Sequence, residues 1–252
     1  MDGYTRQRMT SLHDRSRRAA LRAALVAGVG LALGPRLGFA QSAPTPFDAD
    51  VGLDPGHSRV DVGASGAGMG EYQLTLDVAF RLKPLLEAAG LRVNLSRVDD
   101  NPVSDMASRD YVEQTRIEQA ARIAAVGRVK IFVSIHFNAG PAGSTALRGT
   151  ETYYNPDNAG DDSFRLATAL QHSVVEALWA YGYQDIDRGV KPDLAAGKPY
   201  GHFFSLRGGM PSALVEGLFL SNPTEAALLL RDETRQAIAQ GYAHGILEYF
   251  GR

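Results

Sequence analysis

The chain has 252 residues and is 44% hydrophobic, enough to build one globular domain of ordinary size without covalent staples. It has no cysteine, which excludes disulfides and thiolate metal sites, so any metal must be held by His, Asp or Glu. The net charge is -2, yet seven arginines and two aspartates fall in residues 1–40; the remaining 19 basic and 26 acidic side chains exclude a nucleic-acid footprint.

Residues 1–40 read as an export signal. "SRRAALR" (16–22) is a positive region, "AALVAGVGLALG" (23–34) is an apolar stretch too short to span a bilayer, and Gly38 and Ala40 are small residues at a cleavage point after Ala40. The Arg17-Arg18 pair is similar to a twin-arginine signal, with Ala20 where that signal usually has Phe. The expected location is therefore periplasmic or extracellular, with residues 41–47 as a linker and 48–252 as the working domain. No transmembrane span is expected after the signal.

The first strand is "VGLD" (51–54), running into Pro-Gly-His. Apolar residues at 74, 78, 82, 85 and 86 predict a helix over 71–89, kinked or shortened by Pro84 and stopped by Gly90. "LRVNLSR" (91–97) is a second strand, and 108–127 a helix ending at Gly127. "VKIFVSIH" (129–136) has the continuous apolar character of a central strand buried on both faces. A strand over 149–155, a helix over 162–181, a strand over 212–219 and helices over 222–230 and 232–250 complete the pattern, the first of these last two capped by Asn222 or Thr224 with Pro223 at its start. Residues 187–209, rich in glycine and aromatics, are expected to line a groove, with "GHFFSLR" as a strand or an extended loop. The alternation predicts a single α/β domain with helices on both faces of a sheet.

In such sheets ligands sit beyond the carboxyl ends of the strands. Three polar residues fall there: His57, His136 and Glu216. Glu71 opens the first long helix after "GASGAGMG". Taken singly, each histidine is also consistent with a turn or a satisfied core position, and Glu71 with the helix dipole. Glu216, a carboxylate inside an apolar strand, needs a cation, a hydrogen-bond network or a function. Two imidazoles and one carboxylate make a catalytic zinc site with an open fourth position. A further, unligated carboxylate is then needed as proton carrier, and Glu216 is the candidate. No His-Glu-x-x-His helix exists here.

From about residue 50 to 250 the chain resembles the amidase-3 family, the zinc-dependent N-acetylmuramoyl-L-alanine amidases of bacterial cell walls. The pieces that carry the resemblance are "LDPGHS", "GMGEYQLTLDVAFRLKPLLEAAGLRVNLSR", "VKIFVSIHFNAG", "RGTETYYN" and "MPSALVEGLFLSNPTEAALL", in this order. The resemblance implies one zinc ion on His57, Glu71 and His136, Glu216 as general base, and hydrolysis of the amide between N-acetylmuramic acid and L-alanine in peptidoglycan or muropeptides. It also implies a mixed, mostly parallel sheet. Asn138, Arg97 and Arg148 are candidate substrate contacts, each with a bracing or surface role as its alternative, and His202 is a weaker one. Ser58, Tyr72 and Phe137 depart from the family's usual residues. The stretch from His136 to Gly149 is too short for the inhibitory helix of some members, which implies activity without a releasing partner. The rival readings are another metal-dependent amidohydrolase or carboxypeptidase, and a non-catalytic wall-binding module. The sequence points to no protein partner.

Overall fold

The computed structural model describes residues 46–106, 110–141, 144–184 and 186–252. The expected export signal, and the expected linker up to residue 45, lie outside the described residues.

Six strands form one sheet: β1 (Ala49–Pro55), β4 (Val93–Leu95), β5 (Val129–Asn138), β6 (Thr150–Tyr154), β7 (Asp187–Pro192) and β8 (Ser212–Phe219). Their order is β4-β1-β5-β8-β6-β7. β4, β1, β5 and β8 are parallel; β6 runs antiparallel to β8 and carries β7 parallel to itself. A two-strand ribbon, β2 (Ser65–Gly66) with β3 (Met69–Gly70), leads into α1 (Glu71–Ala88). The other helices are α2 (Tyr111–Ala125), α3 (Gly160–Tyr181), α4 (Pro223–Leu229) and α5 (Asp232–Tyr249). This is the mixed, mostly parallel sheet expected.

β5 is central because it has almost nothing to solvate. Ile131, Phe132, Val133 and Ile135 are fully buried. Its alternate residues feed two layers: Ile131, Val133 and Ile135 join α1, α3 and α5 in the main core, whereas Phe132 packs with Val126 and Val129 beside α2. A third apolar cluster gathers Tyr153, Phe203, Leu206 and Leu214. On the main-core face, Gly241 and Gly245 of α5 lie so close to the α3 backbone that a Cβ on either would meet it at 2.7–2.8 Å. These glycines let two helices touch backbone to backbone.

Local signals behaved as their chemistry demands. Asn222 Oδ1 accepts from the backbone N–H of Thr224 and Glu225, with Pro223 opening α4. Gly90 and Gly127 follow their helices at φ +80° and +70°. Pro84 does not end α1: it stands on the exposed side, where the Phe80 carbonyl that loses its partner can face water. "GHFFSLR" holds a 3-10 turn (Phe204–Leu206) instead of a strand. β7 and the ribbon were not foreseen, because the half-buried Asp-Arg-Gly-Val-Lys-Pro and the dipeptide strands carry no apolar alternation.

Candidate metal centre and active site

β1 delivers His57 to the carboxyl edge of the sheet through Pro55-Gly56. His57 is one of four non-glycine residues with positive φ among those described, at +62°, a conformation that persists only where surroundings fix it. Two buried arginines do so. Arg122 of α2 donates to the carbonyls of Pro55 and His57, and Arg97 donates to those of Pro55 and Gly56 at 2.9 and 3.0 Å. Arg122 also pairs with Glu118 and with Asp54, a fully buried carboxylate that accepts from Ser96 and Ser134 at 2.7 Å each. Gly56 is required by space: a Cβ there would fall 2.4 Å from the His136 ring.

The expectation for Arg97 is thereby corrected. It is 4% exposed, and its guanidinium is occupied by the carbonyls of Pro55, Gly56, Tyr72 and Asp99 and by Thr75 Oγ1. It braces the turn that carries His57, with Nε and Nη2 held by buried acceptors.

Glu71, the first residue of α1, lies between the two histidines. Its Oε1 stands 2.9 Å from His136 Nδ1 and accepts from the Phe137 N–H at 2.9 Å. Its Oε2 stands 3.3 Å from His57 Nε2 and accepts from the Ala64 N–H at 2.8 Å. Gly63, at φ +70°, gives room for this: a Cβ would lie 2.4 Å from Glu71 Oε2. Burial opposes ionisation of Glu71, but the two imidazoles outweigh it and hold its carboxyl well below the usual range. Burial likewise works against the charge on His57, and Glu71 together with Asp61 overcomes it, raising His57 to about 10. Asp61 Oδ2 takes the hydrogen of His57 Nδ1 at 3.0 Å, which leaves Nε2 facing Glu71.

These residues fit a metal ion. One ligand atom from each of His57, Glu71 and His136 lies within 4.8 Å of the others. Ligands about 2.0–2.1 Å from a tetrahedral zinc are about 3.3–3.4 Å apart, near the 3.3 and 2.9 Å that separate Glu71 from His57 and His136. His136 Nε2 is buried with no hydrogen-bond partner. A donor set of two imidazoles and one carboxylate suits zinc better than the all-oxygen preference of magnesium or calcium.

Glu216 of β8 is the register neighbour of His136 on one side and of Glu151 on the other. The β5–β8 register shifts just beyond it, where Leu218 takes φ +68°. Such bulges re-aim side chains beside functional sites. Glu216 Oε2 is buried and unpartnered. Burial, reinforced by the charge of Glu71, pushes its carboxyl up to about 8. Glu216, His57 and His136 line one small cavity of about 80 Å³ with Asp61, Tyr111 and Lys198. A larger groove of about 1010 Å³ between α3 and α5 contains none of the triad.

Glu151, unnoticed in the sequence, is 4% exposed and fully engaged: Oε1 accepts from Asn138 Nδ2 and Tyr153 Oη, and Oε2 from Arg188 and Lys191. Burial disfavours its charge, and the hydrogen bonds from Lys191 and Arg188 prevail, holding it at about 2. Its signal was the one that flagged Glu216, a carboxylate in an apolar alternating strand. Asn138 Oδ1 accepts from the Ala139 N–H and its amide donates to Glu151, contacts that brace the turn. Arg148 is exposed at the start of β6 and is not among the residues lining the cavity. His202 is a loop brace held between Asp193 and Asp157. No helix occurs among the described residues between Asn138 and Thr150.

Known proteins share this arrangement of elements. The family model described as N-acetylmuramoyl-L-alanine amidase matches residues 51–248. The uncharacterised protein YqiI of Bacillus subtilis is 31% identical over 230 residues, covering 91% of this chain and 97% of that protein. The N-acetylmuramoyl-L-alanine amidase LytC of the same organism is 34% identical over 199 residues, 79% of this chain but only 35% of LytC. The structure of the CwlD amidase from Clostridioides difficile, solved in complex with the GerS lipoprotein, superposes with a TM-score of 0.68 at 26% identity, over 81% of this chain and 99% of that one. The chain belongs to the N-acetylmuramoyl-L-alanine amidase family.

Proposed function

We propose that the protein is a zinc-dependent hydrolase that cleaves the amide between the lactyl group of N-acetylmuramic acid and L-alanine of peptidoglycan, acting outside the cytoplasm after export by residues 1–40. The observation that carries this reading is the His57–Glu71–His136 triad beside the unpartnered Glu216 carboxylate, with Glu216 and both histidines lining one cavity. Family membership supplies the substrate class.

Bound zinc supplies Lewis acidity to a water molecule and to the scissile carbonyl. The chain's own residues do the rest. Asp61 fixes the tautomer and orientation of His57. Glu216 takes the proton of the attacking water and returns it to the departing alanine nitrogen. Glu216 ionises more readily once the charge of Glu71 is offset by a bound cation, because that charge is, after burial, the largest cause that raises it. The wall of Tyr200, Phe203 and Phe204 limits bulk water at the carboxylate.

Digestion of purified peptidoglycan by the zinc-loaded protein, followed by mass spectrometry, tests the reading. Free stem peptides and peptide-free glycan are expected. Fragments cut within the peptide or the glycan would refute it.

A further inference from the structure

The cavity at the triad has a charged wall that neither metal binding nor proton transfer uses. Tyr111, Thr115 and Gln119 of α2 form one side, and residues between 198 and 205 the other. Lys198 is the one lysine or arginine among the described lining residues. It is exposed, its ammonium lies 5.7 Å from the centroid of the Phe203 ring, and it forms no ion pair with a described carboxylate.

The segment that presents Lys198 is a built structure. Gly197, at φ +64°, turns the chain immediately before it. Asp193, fully buried, accepts from the Phe203 N–H at 2.8 Å and holds His202 Nδ1 at 2.6 Å. Arg207 donates to the carbonyls of Tyr200 and His202. The backbone on either side of the lysine is thus pinned, while its ammonium is left free at the mouth.

The charges around that mouth give the lysine a purpose. Asp61 and Glu216 line the same cavity, and each repels an approaching anion in its ionised form. Arg97 is consumed by backbone carbonyls, and Arg148 is not among the lining residues. We propose that Lys198 is a substrate-binding residue, pairing with a free carboxylate of the acidic peptide joined through the scissile amide. The proposal rests on the amidase reading above. The influence of Lys198 on Glu216, whose ionised form it favours, agrees with an ammonium close to the reacting centre.

The test uses two N-acetylmuramoyl-L-alanyl peptides, one with free carboxylates beyond alanine and one with those groups amidated. Each is hydrolysed by the zinc-loaded full-length protein, by Lys198→Met and by Lys198→Arg. The wild type is expected to favour the free acid about fivefold in kcat/KM, the upper range of an exposed ion pair, with the difference carried by KM. Lys198→Met is expected to lose the preference and Lys198→Arg to keep part of it. An equal preference in Lys198→Met overturns the proposal, as does a wild type indifferent to the carboxylates. A slowing of both substrates alike in Lys198→Met also overturns it, making Lys198 a neighbour that tunes Glu216. If the zinc-loaded wild type cleaves neither peptide or whole peptidoglycan, the amidase reading itself fails and takes this one with it.

Discussion

Replacing Arg122 by Met removes one buried guanidinium and strands several partners at once. Arg122 is 1% exposed, and it satisfies the carbonyls of Pro55 and His57, the Glu118 carboxylate and the fully buried Asp54. Breaking a buried pair by deleting one member costs about 3–5 kcal/mol, because an uncompensated charge stays behind. That is a large share of the ~5–15 kcal/mol that holds a domain together. The cost is also expected to depend on pH, with a defined sign. Burial acts to raise the Asp54 pKa, yet the charge of Arg122 and the two serine hydroxyls keep it below its ordinary value. In the wild type, Asp54 therefore contributes stability that is present above its unfolded pKa and is lost as pH falls through the folded one. In Arg122→Met the burial effect loses its main opponent, the folded pKa rises above the unfolded one, and protonation relieves the buried charge. Urea unfolding at pH 5 and pH 7.5 should show a destabilisation that is smaller at the lower pH. Arg122→Lys keeps the charge without the fork and should lose less. A destabilisation of the same size at both pH values, or none at pH 7.5, would refute the electrostatic account of Arg122.

Three further outcomes are expected. Glu216→Gln keeps the shape of the side chain but removes the proton carrier, so kcat should fall about 10²–10⁴-fold while one zinc per chain is retained; loss of zinc together with activity would make Glu216 a ligand instead. Zinc at about 100 times its Kd should stabilise the metal-free protein by about 2.7 kcal/mol, seen as a rise in Tm of roughly 5–10 °C, and chelation should abolish hydrolysis; an unchanged Tm would count against a metal held by the triad. Gly56→Ala places a Cβ 2.4 Å from the His136 ring, so metal affinity, measured by competition with a chelator, should weaken at least tenfold; unaltered affinity would show that His136 can move without cost.

Strands and the polar residues at their ends were legible in the sequence because each had a local signature. A run such as Val129–His136 has only one comfortable place in a sheet, and a histidine or glutamate at the end of such a run stands out against its neighbours. The supporting shell was not legible in this way. Arg122 and Glu118 read as an ordinary i,i+4 pair on a helix surface, and only the fold shows that α2 turns that surface inward onto the Pro55–His57 carbonyls. Arg97, a candidate substrate contact with a surface role as its alternative, follows a strand at the active edge, where the nearest acceptors are backbone oxygens. Glu151 and Asn138 lie close in sequence to recognised residues, yet their roles follow from Arg188 and Lys191, which arrive on β7, a strand without apolar periodicity.

The distribution of charge explains why the supporting arginines must be buried. The cavity gathers Asp61 and Glu216 with His57 and His136, and Glu71 lies between the imidazoles. A positive side chain in contact with Glu71 or Glu216 would occupy the place where a cation fits; Lys198 lines the cavity but pairs with neither. The guanidinium groups of Arg97 and Arg122 are engaged by the carbonyls of Pro55, Gly56 and His57, and that of Arg122 also by Asp54 and Glu118, so that they fix the backbone of His57 without competing for its ring. Asp61 can then orient that ring from the other side. Glu151 is treated in the same way: Arg188, Lys191, Asn138 and Tyr153 saturate it, although it stands beside Glu216 in register. That leaves Glu216 as the carboxylate at this edge with a buried, unpartnered oxygen. A proton carrier needs that freedom, since a carboxylate already saturated by cations binds protons too weakly to serve as a base near neutral pH.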